Sequence, residues 1–183
     1  MYKTLLSLTL VVAAAGASAQ HAGHHAPASG YAGLQNREIK ALSAEQMADL
    51  RQGRGMGASL PAELNGVPGP MHVLELAPQL KLTPEQRVSL EGITAEMKTS
   101  AQQLGGQVIA AEAELDAAFK SNAADEKTIA ETTARIASLQ GQLRAVHLVA
   151  HLKTKRLLSV DQVTAYNVAR GYVADAGAHK HRH

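Results

Sequence analysis

Two long stretches without proline, joined by a short polar segment, limit the folds open to this chain. On either side of residues 121–125, apolar residues recur every three or four positions from residue 85 to residue 157. This spacing aligns them along one side of an α-helix. Most residues between them are Ala, Glu, Gln, Lys or Arg, which enter helices at little cost. We therefore predict two helices of roughly 50 Å each, at about 1.5 Å per residue, folded back on each other.

The apolar stripe of each predicted helix is narrow. Its members are Leu90, Ile93, Met97, Leu104, Val108, Leu115 and Phe119 in the first helix, and Ile129, Ile136, Leu139, Leu143, Val146, Ala150 and Leu157 in the second. A helix this long cannot bury such a stripe within a compact ball, so it must lie against a neighbour and against a second chain. The predicted fold is all-α: a long antiparallel helical hairpin with short flanking helices, forming a homodimer.

The two ends of the chain carry different signals from its centre. Residues 1–19 combine Lys3, an apolar run and Ala17-Ser18-Ala19, a pattern typical of a cleaved secretory signal. The apolar run is shorter than the roughly 20 residues of a membrane span, so an uncleaved anchor is only the alternative. We expect an exported protein with no stable membrane span after cleavage. Residues 20–38 and 175–183 are predicted to be disordered, histidine-rich tails around a helical domain at residues 39–174.

Shorter elements are predicted around the long pair. A helix is expected at residues 42–51, followed by an irregular connector rich in glycine and proline. Residues 71–80 can form another short helix, which Pro78 bends or shortens. The last helix is predicted at residues 159–174, packed against the base of the long pair.

A short signature occurs three times, each time where a helix is predicted to begin. It has the form Leu, Ser or Thr, any residue, acid, Gln, and it lies at residues 42–46, 82–86 and 158–162. The hydroxyl caps free backbone N–H groups, and the glutamine reaches back in a capping box. Pro84 stands at the first helical position, where its missing N–H costs nothing. A single capping box is common in unrelated helices, but three copies in one short helical chain are not.

The order of these signatures, the hairpin between the last two and the export signal resemble the Spy and CpxP family of periplasmic proteins, which includes the metal-resistance proteins CnrX and ZraP. The resemblance covers residues 42–172. It implies an all-α subunit that dimerises into a curved cradle and has no enzymatic activity. Members of the family act as chaperones that need no ATP, restrain an envelope-stress kinase, or sense metal.

Two histidines of the second long helix are candidate metal ligands. His147 and His151 are four residues apart, so their imidazoles project from one side of the helix and can bind one divalent ion. The position of the turn places His147 opposite Lys98 and His151 opposite Thr94. The same spacing also occurs in histidines that are structural or simply solvated.

Acids near these positions, and one further histidine, complete the predicted site. Glu91 and Glu96 lie within one helical turn of the residues opposite the histidine pair, and His72 precedes the first long helix at the same end. Glu75 is an alternative carboxylate. Imidazole and carboxylate ligands suit nickel, cobalt, zinc or copper better than magnesium or calcium. The predicted metal ligands are His147, His151, His72, Glu91 and Glu96.

Comparison with CnrX supports part of this set. His147 and His151 resemble its His-x-x-x-Met ligand pair, with histidine in place of methionine, and His72 resembles the first member of its His-x-x-x-His pair. The second member of that pair falls on Leu76, and the carboxylate ligand falls near Thr94. Two of the expected ligands are therefore unmatched.

These features favour two functions. The first is a periplasmic protein that senses or sequesters a transition metal in an envelope-stress or resistance system. The second is an ATP-independent chaperone for unfolded periplasmic proteins, with Met47, Met56, Met71 and Met97 as adaptable contacts. Inhibition of an envelope sensor protein is a third possibility. The formal charge of +2 does not indicate a nucleic-acid partner, and no catalytic or nucleotide-binding motif is present, so we expect no enzyme.

Overall fold

The computed structural model of the protein describes residues 29–173, of which those from Gly33 onward belong to one compact unit. Its helices are α1 (Ala44–Gln52), α2 (Leu60–Glu63), α3 (Pro70–Glu75), α4 (Pro84–Lys120), α5 (Glu126–Leu157) and α6 (Val160–Ala169), preceded by a 3-10 turn at Leu34–Asn36. Over residues 29–173 the regular elements are all helices, which confirms the predicted all-α class. The predicted leader at residues 1–19, the start of the N-terminal tail and the tail at residues 175–183 lie outside the described residues.

The two longest helices contact each other along much of their length. They have 37 and 32 residues, or about 55 and 48 Å at about 1.5 Å per residue. The amide of Gln86, near the start of α4, donates to the carbonyl of Leu157 at the end of α5 at 2.8 Å. Further along, Lys153 pairs with Glu96 at 2.8 Å, and Arg135 pairs with Glu114. No helix within residues 29–173 is both long and apolar enough to span a bilayer.

The turn between the long helices has local causes. Asn122 has a φ of 56°, in the left-handed region that asparagine tolerates better than most residues. The side chain of Asp125 then accepts from the backbone N–H of Thr128 at 2.7 Å and caps α5. The break between the two long helices falls at residues 121–125, where it was predicted.

All three predicted capping boxes are formed. Ser43, Thr83 and Ser159 each accept a hydrogen bond from the backbone N–H of the glutamine three residues later, and that glutamine's side chain accepts from the backbone N–H of the capping residue. The box at the start of α1 is exposed, whereas the other two lie side by side at the base of the long pair.

The glutamines of these two boxes bind each other. Gln86 donates to Oε1 of Gln162 at 2.9 Å, and Gln162 donates to Oε1 of Gln86 at 3.0 Å. Gln162 also donates to the carbonyl of Leu80 at 3.1 Å, and Gln86 to that of Leu157. This reciprocal amide pair therefore joins the starts of α4 and α6 to the end of α5 and the turn before α4.

The short helices differ from prediction where glycine and proline intervene. α3 ends at Glu75, before Pro78, and so is shorter than residues 71–80. α6 ends at Ala169 rather than near residue 174, and Gly171 follows with a φ of 73°. The predicted irregular connector contains the unpredicted helix α2, whose first turn includes Pro61.

Two apolar clusters hold the short elements against the long pair. The first packs α1 and the segment before it on α4 and α5, and its buried members are Ile39, Leu42, Met47, Leu50, Ala101, Val108 and Leu143. The second lies at the base and contains Val73, Leu80, Leu90 and Tyr166. On α4, residues 94–98 lie between the members of the two clusters, and there a cleft opens.

Candidate functional site

The cleft brings together the three histidines predicted as metal ligands. It has a volume of about 630 Å³, and His72, His147 and His151 all line it. His147 and His151 are one turn apart on α5 and are only 4% and 5% exposed. Thr94 and Lys98 of α4, which were predicted to lie opposite the histidines, line the same cleft.

The two acids predicted for the site lie elsewhere. Glu91 is exposed and does not line the cleft. Glu96 is also exposed, and its carboxylate accepts from Lys153 at 2.8 Å. Both acids were predicted from their level on α4, but neither side chain lines the cleft.

The acid that does lie with the histidines is Glu63, at the end of α2. It is 5% exposed, and its Oε1 accepts hydrogen bonds from the hydroxyls of Tyr166 and Tyr172, the second at 2.9 Å. His72 Nδ1 lies 3.5 Å from Oε1, and His151 Nδ1 lies 3.7 Å from Oε2. Sequence reasoning missed Glu63 because it lies in a segment predicted to be irregular. The sequence Ser59-Leu60-Pro61 is typical of a helix start and could have indicated α2, but not the burial of its acid.

Glu63 is held in its ionised form. Burial raises the pKa of its carboxyl, but the hydrogen bonds from Tyr166 and Tyr172 and the charges of His72 and His151 together hold that pKa below its ordinary value. Burial and the neighbouring carboxylate raise the pKa of Tyr166, so its hydroxyl stays protonated and continues to donate. Arg170 adds positive charge, with Nε 3.5 Å from Oε1.

Within residues 29–173, two buried polar atoms of the residues lining the cleft have no hydrogen-bond partner. They are Oε2 of Glu63 and Nε2 of His147. The tyrosines occupy Oε1 of the carboxylate and leave Oε2 as its free oxygen. Burying such atoms without a partner costs roughly 1–3 kcal/mol each, so a native structure retains them for a reason.

His151 is oriented as a ligand would be. Its Nδ1 lies 2.8 Å from the carbonyl oxygen of Val67, which can only accept, so Nδ1 carries a proton and Nε2 is the nitrogen left to bind a metal. Metal-binding histidines commonly donate their second ring N–H in this way. Nε2 faces Gly69, where an added Cβ would lie 2.8 Å from it and 3.6 Å from Oε2 of Glu63. Because Gly69 has no side chain, there is space beside Nε2 of His151 and Oε2 of Glu63.

The candidate metal ligands lie close together only in pairs. Glu63 lies near His72 and near His151, but across residues 29–173 no three imidazole or carboxylate groups already surround a single point as a closed metal site. The side chain of His72 is 40% exposed and so has room to change its rotamer. A three-ligand site around Glu63 therefore requires side-chain movement.

Comparisons with known proteins add no relative. A scan against protein-family models and searches of curated proteins and of solved structures found no match to this chain. What the cleft can bind is therefore inferred from its own side chains.

The burial of His147 makes stability depend on pH. Burial and the nearby charge of His151 lower the pKa of His147, so its ring is neutral in the folded protein. The unfolded ring, with an ordinary pKa of about 6.5, takes up its proton first as the pH falls. The contribution of the neutral His147 ring to the free energy of unfolding is therefore complete above about pH 6.5. It is lost as the pH falls through the lower pKa of the folded state. Urea unfolding between about pH 7.5 and pH 5.5 should show a smaller loss of unfolding free energy in His147→Leu than in the unaltered protein. Equal losses in both proteins would contradict this assignment.

Proposed function

We propose that this chain is a periplasmic Spy/CpxP-like protein that binds a transition metal in the cleft, to sense it or sequester it. The observation that supports the proposal most is the pair of buried, unpartnered donors, Oε2 of Glu63 and Nε2 of His147, lining a cleft that also holds His72 and His151. A cation in the cleft would satisfy atoms that otherwise cost free energy.

The donors suit a transition metal in type and in orientation. Neutral imidazoles with one carboxylate favour nickel, cobalt, zinc or copper over magnesium or calcium. Tyr166 and Tyr172 fix one oxygen of Glu63, and the carbonyl of Val67 fixes the tautomer of His151. Such supporting contacts commonly orient metal ligands and raise metal affinity. In this proposal His72 rotates towards the ion and completes the site with Glu63 and His151.

The proposed location, family and oligomeric state of the protein are based on its sequence. The leader-like residues 1–19 support export to the periplasm, and the repeated capping boxes support the family assignment. We include in the proposal an antiparallel hairpin subunit, a cradle-shaped homodimer and an envelope sensor protein as a partner. No catalytic role is proposed.

A substitution at Gly69 tests the site without removing a donor. The backbone there has φ −87° and ψ 146°, which alanine adopts readily before a proline. Because the new Cβ would lie 2.8 Å from Nε2 of His151, the buried ring has to turn and lose its bond to Val67. We expect Gly69→Ala and Glu63→Gln each to weaken binding of nickel, cobalt, zinc or copper by about tenfold or more.

The measurement is calorimetric titration of the full chain with its tail histidines replaced by alanine, so that loose binding by the tails does not mask the cleft. Gly141→Ala is the matched control, since an added Cβ there meets nothing within 4 Å. The double variant His147→Ala, His151→Ala should also lose affinity. Unchanged affinity in all of these folded variants would remove the proposed site.

A chaperone role is the second candidate, supported by a separate apolar groove. This groove, of about 350 Å³, runs between α4 and α5 and is lined by residues that include Ile93, Leu104 and Val146. Val149, at its edge, is 47% exposed, and Leu152 on the same helix is 49% exposed. Exposed apolar surface of this kind can bind unfolded chains. Aggregation of a heat-labile client with and without the protein decides this candidate, and no suppression at an equimolar ratio argues against it.

A further inference from the structure

We propose that the cleft is built for a soft monovalent ion, copper(I), and that methionine thioethers supply the selectivity. This inference rests on the proposed function, because it names the ion that the cleft takes. Met56, Met71 and Met97 all line the cleft. The fourth methionine of residues 29–173, Met47, is buried in the first apolar cluster.

One thioether lines the cleft together with the unpartnered imidazole. Met97, on α4, is 8% exposed and His147, on α5, is 4% exposed, and both line the cleft. Ring atoms of His147 lie against Gly55, where an added Cβ would be 3.4 Å from Nδ1. The absence of a side chain at Gly55 leaves this ring uncrowded on the side of the connector.

The other two thioethers lie in positions that packing does not explain. Met56 and Met71 are 50% and 53% exposed, although an apolar side chain gains free energy by burial. Met56 also has a φ of 45°, in the left-handed region that costs a residue with a Cβ roughly 1–2 kcal/mol. A chain under pressure only to fold would place glycine or asparagine there. Backbone strain of this kind at a residue that lines a cleft, such as Met56, is typical of functional positions.

The chemistry of these donors favours copper(I). Thioether sulfur is a soft, neutral ligand that binds copper(I) much better than it binds zinc or nickel, and a neutral imidazole is compatible with all three. Lys98, Arg54 and Arg170 also line the cleft, so an ion of single charge meets less repulsion than a divalent one. Glu63, with His72 and His151, forms the harder end of the cleft, and Met97 with His147 forms the softer end.

Competition with chromogenic chelators separates these ends. The full chain, with the tail histidines replaced by alanine, is titrated with copper(I) under anaerobic, reducing conditions, and separately with zinc(II). The test variant carries Met56→Leu, Met71→Leu and Met97→Leu, which roughly conserve side-chain volume. We expect its copper(I) affinity to fall by about tenfold or more while its zinc(II) affinity changes less than about twofold. Met47→Leu is the matched control and should leave both affinities unchanged.

Each other outcome has a distinct meaning. If the leucine variant keeps its copper(I) affinity but Gly69→Ala loses metal binding, the thioether role is wrong and the proposed metal site stands. If the unaltered cleft binds none of the ions, both proposals fail. If the triple variant does not fold, the pair Met56→Leu and Met71→Leu, whose side chains are half exposed, provides the same test.

Discussion

Replacing Gly105 with alanine should destabilise the protein by about 3 kcal/mol or more. Gly105 lies where α1 crosses α4, and an added Cβ would be 2.2 Å from the backbone oxygen of Leu50 and 2.8 Å from its carbonyl carbon. Because these are backbone atoms, no side-chain rotation relieves the overlap. α1 has to move away from α4, and the first apolar cluster loses its packing.

The neighbouring glycine provides the control. Gly106 is exposed on the same helix, and an added Cβ there meets nothing within 4 Å. Gly106→Ala should therefore stabilise the protein by up to about 1 kcal/mol, because alanine loses less backbone entropy in a helix. Urea unfolding followed by circular dichroism measures both changes. A loss below about 1 kcal/mol at Gly105 would show that the close crossing of α1 and α4 is wrong.

Replacing Gln162 with alanine should cost about 3 kcal/mol, since several partly buried hydrogen bonds disappear together. Gln162 donates to Leu80 and Gln86 and accepts from Gln86 and from the backbone N–H of Ser159. Removing it also leaves the amide of Gln86 without its partner. The base, where the starts of α4 and α6 meet the end of α5, should open before the rest of the domain unfolds.

Gln46 is the matched control, because it forms the same capping box but is exposed and binds no second glutamine. Gln46→Ala should cost about 1 kcal/mol or less. The double variant Gln86→Ala, Gln162→Ala should cost less than the sum of the two single losses, since both lose the same amide pair. Equal losses at Gln46 and Gln162 would mean that only local capping matters at the base.

Local rules predicted most of the helices. The three capping boxes depend on residues within four positions of one another, so the starts of α1, α4 and α6 could be predicted from sequence. The turn at residues 121–125 was predictable for the same reason. The reciprocal amide pair was not, because Gln86 and Gln162 are brought together only by packing.

The candidate site was predictable only in part. His147 and His151 share a helix, so their common direction follows from spacing. The turn position predicted Lys98 and Thr94 opposite them, and all four residues line the cleft. Glu96 is at the right level but projects towards Lys153. Glu63 is distant in sequence from Thr94, His147 and His151, and no periodic pattern marks it.

The reciprocal amide pair has a consequence for the cleft as well as for the base. Tyr166 follows Gln162 by one helical turn of α6, and its hydroxyl donates to Glu63. The ten-residue helix α6 thus binds the base of the long helices through Gln162 and orients the buried acid Glu63 through Tyr166. A tilt of α6 would therefore also displace the carboxylate of Glu63. Loss of the amide pair at Gln162 should loosen the position of this acid as well.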